Sequence, residues 1–134
     1  MINIRDITDV IKLHDSIIEQ FGGLPGVQDE KLLASALSRP FTGLSNGTEF
    51  FPAVETKAAV LLQSLIQFHP FIDGNKRTGV AVTQIYLYEN EHGWDFDQSE
   101  IVEFSVQIAS SKVQLDTITE WIKARLSKRD RHDI

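Results

Sequence analysis

The segment His69–Thr78, with the sequence HPFIDGNKRT, brings together side chains that could act on a phosphate group. His69 can gain or lose a proton near neutral pH, which suits a general base that activates an attacking hydroxyl. Asp73 is the segment's only carboxylate, and Mg²⁺ commonly binds proteins through about one or two carboxylates plus waters and substrate phosphates. Lys76 and Arg77 add adjacent cations, of which the arginine can bind phosphate oxygens bidentately. The segment therefore indicates a phosphate-transfer site.

The segment connects two apolar helical runs, one ending near Phe68 and one beginning near Asn75. The first N–H groups of a helix lack backbone partners, so they form a ready anion site. Gly74 permits close backbone approach, and Asn75 can cap or brace the turn. Cations in a first helical turn oppose the helix dipole at a cost of about 0.3–1 kcal/mol each, which makes sense if an anionic ligand binds there.

Apolar residues recur at helical spacing over most of the chain, which predicts an all-α fold of about six helices. Gly22 and Gly23 are expected to end the first helix, and Asp29 to cap the second. Asp97 and Glu100 have the spacing of a capping box that opens the fifth. The predicted helices run from Ile7 to Phe21, from Asp29 to Leu37, from Val54 to Phe68, from Asn75 to Asn90, from Asp97 through Ile108 and from Asp116 through Leu126.

Residues 41–51 interrupt the helical pattern and are predicted to form an exposed flap before the helices that flank the motif. Asn46-Gly47 within them is a short hairpin signal, so one small β-element is compatible with the all-α class. No linker is long enough to divide the chain. We therefore expect one domain over residues 1–127 and a charged tail over residues 128–134.

Composition narrows the function classes for this chain of 134 residues, whose formal net charge is −6. The acidic balance argues against a nucleic-acid partner, which would need a basic surface. The lack of cysteine excludes disulfides and thiolate catalysis. No run approaches the ~18 apolar residues of a membrane span, so no membrane partner and a cytoplasmic location are expected. His14, His92 and His132 are interpreted as structural or surface residues.

Residues 69 to 77, His-Pro-Phe-x-Asp-Gly-Asn-Lys-Arg, resemble the signature of the Fic/Doc (Fido) superfamily. That superfamily is all-α, and its members transfer parts of nucleotides to protein hydroxyls. Residues 22–37 are similar to the N-terminal part of its Doc (death-on-curing) branch, so the resemblance covers most of residues 4–126.

The resemblance implies a role for each motif residue and for the flap. His69 would be the base that deprotonates the target hydroxyl, and Asp73 would bind Mg²⁺. ATP would be bound at the start of the motif helix, and the flap would align the target peptide. The phosphate site would be formed by Gly74, through its backbone, and by Asn75, Lys76 and Arg77.

Departures from the AMP-transferring Fic pattern favour transfer of the ATP γ-phosphate. Lys76 stands where that pattern has a second glycine, and Val80 where it has a second arginine. Doc-like proteins carry the lysine and are understood to bind ATP in a reversed sense. Gly74, however, stands where the best-known Doc motif has alanine, so AMP transfer stays an alternative. A non-catalytic module that binds an anion or nucleotide is a third possibility.

The resemblance also implies partners. A Doc-like toxin would modify a protein target, for which a translation factor such as elongation factor Tu is the expected kind, and would thereby block translation. The chain has no match to the inhibitory Ser/Thr-x-x-x-Glu-Gly/Asn helix of many Fic proteins; Ser99-x-x-x-Glu103 comes nearest. Inhibition is therefore expected in trans, from a Phd-like antitoxin.

Overall fold

The computed structural model describes residues 2–128 and confirms the all-α class. Within that range six helices accompany one two-stranded sheet. No helix in the same range is both long and apolar enough to cross a membrane. The elements are α1 (Ile7–Phe21), α2 (Glu30–Ser38), α3 (Val54–Gln67), α4 (Asn75–Glu89), β1 (His92–Trp94), α5 (Gln98–Ala109), α6 (Leu115–Lys123) and β2 (Leu126–Lys128).

Helix α3 lies at the centre of the fold and packs against α2, α4, α5 and α6. It is buried on almost every side, because residues 57–62 and 64–66 are all buried. Helix α4 lies close against it at Gly79. A Cβ there would lie 3.2 Å from Ile66 Cγ1 and 3.5 Å from Leu65 Cβ. The two helices that flank the motif are therefore held together by the core.

The predicted helix-end signals at Asp29 and Gly22 are confirmed, and Asp6 forms a cap that was not predicted. Asp6 caps α1 by accepting from the Thr8 N–H at 2.8 Å. Asp29 caps α2 by accepting from the N–H groups of Lys31 and Leu32. Gly22, with φ 86°, ends α1 as predicted. A short 3₁₀ turn, Arg39–Phe41, follows α2 and contains Pro40.

The predicted capping box at the start of α5 is wrong. The helix does begin at Gln98, directly after Asp97, but the Asp97 side chain makes no cap hydrogen bond. Glu100 instead forms an ion pair with Arg125, which lies after α6. This ion pair takes the place of the predicted bond from the Glu100 carboxylate back to a backbone N–H.

The predicted hairpin in the flap is confirmed. Gly43 pairs with Glu49 in an antiparallel bridge, and the Leu44 N–H donates to the Thr48 carbonyl at 2.7 Å. Asn46 shapes the turn, because its side chain accepts from the Thr48 N–H. Gly43 is required by the close approach of the strands, since a Cβ there would lie 2.3 Å from the Thr48 carbonyl oxygen.

A second β-element was not predicted. Strands β1 and β2 pair antiparallel, with Gly93 opposite Ser127 at the centre. The expected boundary at residue 127 therefore falls inside β2. Residues 129–134, which include most of the predicted tail and His132, lie outside the described residues.

Candidate active site

The loop between α3 and α4 carries the motif, and its backbone is unusual at both ends. His69 has φ 53° and Gly74 has φ 77°. A positive φ is uncommon for a residue with a Cβ and is enriched at functional sites. The His69 side chain is exposed, and its ring makes no hydrogen bond or ion pair with any residue in the range 2–128. The imidazole is therefore free to bind and deprotonate a substrate group.

The loop is pinned on one side by the segment before α2. The Pro70 carbonyl accepts from the N–H groups of Gln28 at 2.8 Å and Asp29 at 3.1 Å, and the Ile72 N–H donates to the Gly26 carbonyl. Residues 26–29 thus run beside the loop like a partner strand. This pairing fixes the backbone on both sides of Phe71.

Asn75 braces the loop from within and is itself buried. Its side-chain oxygen accepts from the Phe71 N–H and its amide nitrogen donates to the Phe71 carbonyl, both at 2.9 Å. These two bonds orient the side chain toward Phe71, while the backbone N–H of Asn75 lies in the first turn of α4. Asn75 therefore shapes the loop, which agrees with the predicted brace.

Asp73 faces solvent and is held as a carboxylate. Its Oδ2 accepts from the Leu24 N–H at 3.0 Å and its Oδ1 from the Gly74 N–H at 2.8 Å. The bond from Leu24, then that from Gly74, lowers the Asp73 pKa below its usual value, and Lys76 adds to the effect. Hydrogen bonds that favour the charged form have this effect on a carboxyl group.

Asp73 fits Mg²⁺ in one binding mode only. Each carboxylate oxygen receives one hydrogen bond, which leaves further lone pairs directed to solvent. No group of three or more His, Cys, Asp or Glu residues that could hold a metal ion occurs within residues 2–128. The arrangement therefore suits an ion completed by waters and substrate phosphates and does not suit an all-protein cage.

Lys76 and Arg77 occupy the first turn of α4 and are both exposed. Neither has an acidic partner within 4.0 Å in the described part of the chain. Arg77 stacks on the ring of Phe21, with Cζ 4.2 Å from the centroid. Two cations without acidic partners at a helix N-terminus, where the dipole is also positive, make this the natural place for an anion.

A cleft of about 440 Å³ adjoins the two cations and lies between α1, α4 and α5. Lys76 and Arg77 form part of its wall, whereas His69 and Asp73 are not among its lining residues. Most of the wall is apolar, with Phe21 and Phe96 at its sides. The first turn of α4 therefore borders a cleft with room for part of another molecule.

Comparison with known proteins agrees with this geometry. The family model described as Fic/DOC family matches residues 5–87. The chain belongs to the Fic/DOC family. It is 37% identical over 100 residues to "Toxin Doc" of Mycolicibacterium smegmatis, an alignment that covers 73% of this chain and 76% of that protein. It is also 26% identical over 115 residues to "Protein kinase doc" of Escherichia phage P1, covering 86% and 89%.

Residues distant in sequence also build the Fic/DOC loop, and the sequence did not predict their contacts with it. His14 is a structural residue, as interpreted, but its contact with the motif loop was not predicted: the ring is fully buried and bonds to the loop backbone. Leu24 lies between the first two predicted helices, and its N–H holds the Asp73 carboxylate. The spacing of His14 on the buried stripe of α1 was the available signal, but nothing in the sequence shows what that stripe meets.

Proposed function

We propose that this Fic/DOC protein transfers the γ-phosphate of ATP to a serine or threonine hydroxyl of a protein target. The observation that carries the proposal is the pair of cations, Lys76 and Arg77, in the first turn of α4, which have no acidic partner within 4.0 Å among residues 2–128 and lie a few residues after the ionised Asp73. Phosphoryl transfer depends mostly on positioning and charge neutralisation. The name of the phage P1 relative, "Protein kinase doc", supports the same reaction.

In the proposed reaction, the target hydroxyl oxygen attacks the γ-phosphorus while its proton passes to the free ring of His69. The new O–P bond forms as the bond to the β,γ-bridging oxygen breaks, and ADP leaves. Arg77 and Lys76, with the first N–H groups of α4, would hold the phosphate oxygens. Mg²⁺ on Asp73 would neutralise phosphate charge when bound.

Lys76 favours the γ-phosphate over AMP as the transferred group. A lysine at this position occupies space and supplies a charge where the AMP-transferring pattern has a glycine. Gly74 is the specific observation that favours the alternative of AMP transfer. It is left-handed at φ 77°, and a Cβ there would lie 3.1 Å from Ile18 Cδ1, so the alanine of the best-known Doc motif would be strained here and would press on the Ile18 side chain.

The proposed biological role is that of a toxin acting in the cytoplasm, on a translation factor of the elongation factor Tu kind. The relative named "Toxin Doc" supports the toxin role. We further propose a Phd-like antitoxin as partner. A segment laid in the cleft between α1, α4 and α5 would reach Lys76 and Arg77, and an acidic side chain on it would compete with phosphate.

The test is transfer of label from ATP to protein in a bacterial lysate, with the label placed on the γ-phosphate or on the α-phosphate. The proposal expects label from γ-ATP only, and a phosphate mass on a serine or threonine by mass spectrometry. Label from α-ATP would establish AMP transfer instead. No label from either, with ATP still bound, would indicate the non-catalytic binding module.

A further inference from the structure

His14 is a buried polar residue of α1 that contacts the motif loop across 59 residues of sequence. Its Nε2 lies 2.7 Å from the Asp73 carbonyl oxygen. A carbonyl can only accept, so Nε2 carries the proton and donates. The His14 ring stacks on Phe71 with a centroid distance of 3.9 Å and an interplanar angle of 5°.

Packing alone does not account for a histidine at this position. The His14 side chain is fully buried, and its Nδ1 has no hydrogen-bond partner among residues 2–128. Leaving a buried polar atom unpaired costs on the order of 1–3 kcal/mol. An apolar residue would fill the core without that cost, so the bond to the Asp73 carbonyl is the feature that only a donor can supply.

Two groups from α1 and the segment that follows it form hydrogen bonds with Asp73. His14 holds its carbonyl, and the Leu24 N–H holds its carboxylate at 3.0 Å. Gly23 allows the second contact, because a Cβ there would lie only 2.8 Å from Asp73 Oδ2. The next residue, Gly74, also lies against the histidine, since its Cβ would be 3.4 Å from His14 Nε2. The backbone and the side chain of Asp73 are thus oriented by the same distant segment.

We propose that His14 is a positioning residue for Asp73. Its Nε2–H fixes the Asp73 carbonyl, and thereby directs the carboxylate to the N-terminus of α4 for Mg²⁺ binding. The inference rests on the proposed role of Asp73 in the transfer reaction. His14 acts as a hydrogen-bond donor through Nε2 and does not touch the substrate.

Two substitutions test the hydrogen-bond donor and the aromatic ring of His14 separately. His14→Phe keeps a ring that can stack on Phe71 but removes the donor. His14→Gln removes the ring but offers an amide N–H at similar reach. Both are compared with His92→Phe, a change in β1, and thermal unfolding is measured first for each variant.

The measurements are the Mg²⁺ concentration that gives half-maximal transfer and the NMR shifts of the Leu24 and Gly74 amides, whose N–H groups bind the Asp73 carboxylate. In His14→Phe we expect about a tenfold higher Mg²⁺ requirement, as for other residues that orient metal ligands, and displaced Leu24 and Gly74 signals. His14→Gln should bring the Mg²⁺ requirement to within about threefold of the wild-type value. It should also return the Leu24 and Gly74 amide signals close to their wild-type positions. His92→Phe should change neither.

Unchanged Mg²⁺ dependence and unchanged amide signals in His14→Phe would overturn the proposal. Equal defects in the Phe and Gln variants would also overturn it, because a donor supplied at this position would then restore neither readout. If His14→Phe does not fold, the test rests on His14→Gln. Loss of the wild-type Leu24 and Gly74 amide signals in that variant would then contradict the positioning role of His14. An Asp73→Asn variant with normal Mg²⁺ dependence would refute the proposed function of Asp73, while the amide signals still test His14.

Discussion

At the scale of single residues, the site depends on which side chains are tied down and which are left free. Asn75 and His14 are buried and bonded to the loop. His69 is exposed and makes no polar contact with residues 2–128. Structural residues thus hold the backbone, and the groups proposed to meet the substrate stay available.

The Asp73 carboxyl gives a pH prediction at this scale. Its pKa is lowered from 3.8 by bonds from the Leu24 and Gly74 N–H groups. A depressed pKa means that the carboxylate stabilises the loop above the unfolded-state value, and that this contribution is lost as pH falls through the folded pKa. The amide shifts of Leu24 and Gly74 should therefore titrate with a midpoint below 3.8. Asp73→Asn should abolish the transition, and a midpoint above the ordinary value would contradict these bonds.

At the scale of elements, the flap is attached to α3 by a buried lysine. Lys57 is 6% exposed; it pairs with Glu49 at 2.9 Å and also donates to the Phe51 carbonyl. A cation near the start of a helix opposes the dipole, and a buried one also loses its hydration. These costs are offset by holding the second strand of the flap against α3.

Lys57→Met is expected to release the flap. A hydrogen bond to a charged group contributes about 1.5–3 kcal/mol, so hydrogen exchange of the flap amides should accelerate by about tenfold or more. If the flap aligns the target, the KM for the protein target should rise while the KM for ATP stays constant. Lys31→Met, an exposed change on α2, is the matched control. Unchanged flap exchange in Lys57→Met would show that the lysine is not the anchor.

The elements also show what sequence can and cannot predict here. Local signals were sufficient for the helices and the flap, because apolar spacing, Gly22, Asp29 and Asn46-Gly47 act on their own neighbours. The capping box did not form because Glu100 pairs instead with Arg125, which lies 25 residues away. Strands β1 and β2 are too short to show a period of their own.

The candidate site likewise has a part that the sequence predicts and a part that it does not. The motif could be found because its residues are contiguous, so that loop, helix start and cations follow from one stretch of chain. The roles of His14 and Leu24 could not be found, since their contacts with Asp73 span 59 and 49 residues. Such contacts exist only once the helices have packed.

At the scale of the whole molecule, one core supports both sides of the motif loop. Helix α3 ends at the loop, α4 begins there, and both pack on the shared centre. The family match ends at residue 87, whereas α5 and α6 cover α3 from beyond that point. The C-terminal third therefore completes the core beneath the loop.

Leu62→Ala tests this dependence on the core. Leu62 is fully buried in α3, so its truncation should lower the free energy of unfolding by about 2–5 kcal/mol. Val106→Ala on α5, where the side chain is 48% exposed, should change it by less than about 0.5 kcal/mol. Chemical denaturation measures both. Equal small effects would show that α3 is not the centre of one cooperative unit.

The central claim is that this loop transfers the ATP γ-phosphate with His69 as base, and γ-labelled ATP tests it most directly. Wild-type protein and the control His92→Ala should label a protein target equally. His69→Ala should lose at least about 100-fold in rate, the usual contribution of a general base, while its thermal unfolding stays unchanged. Retained γ-label transfer by a folded His69→Ala, or label transferred only from the α-phosphate, would contradict the claim.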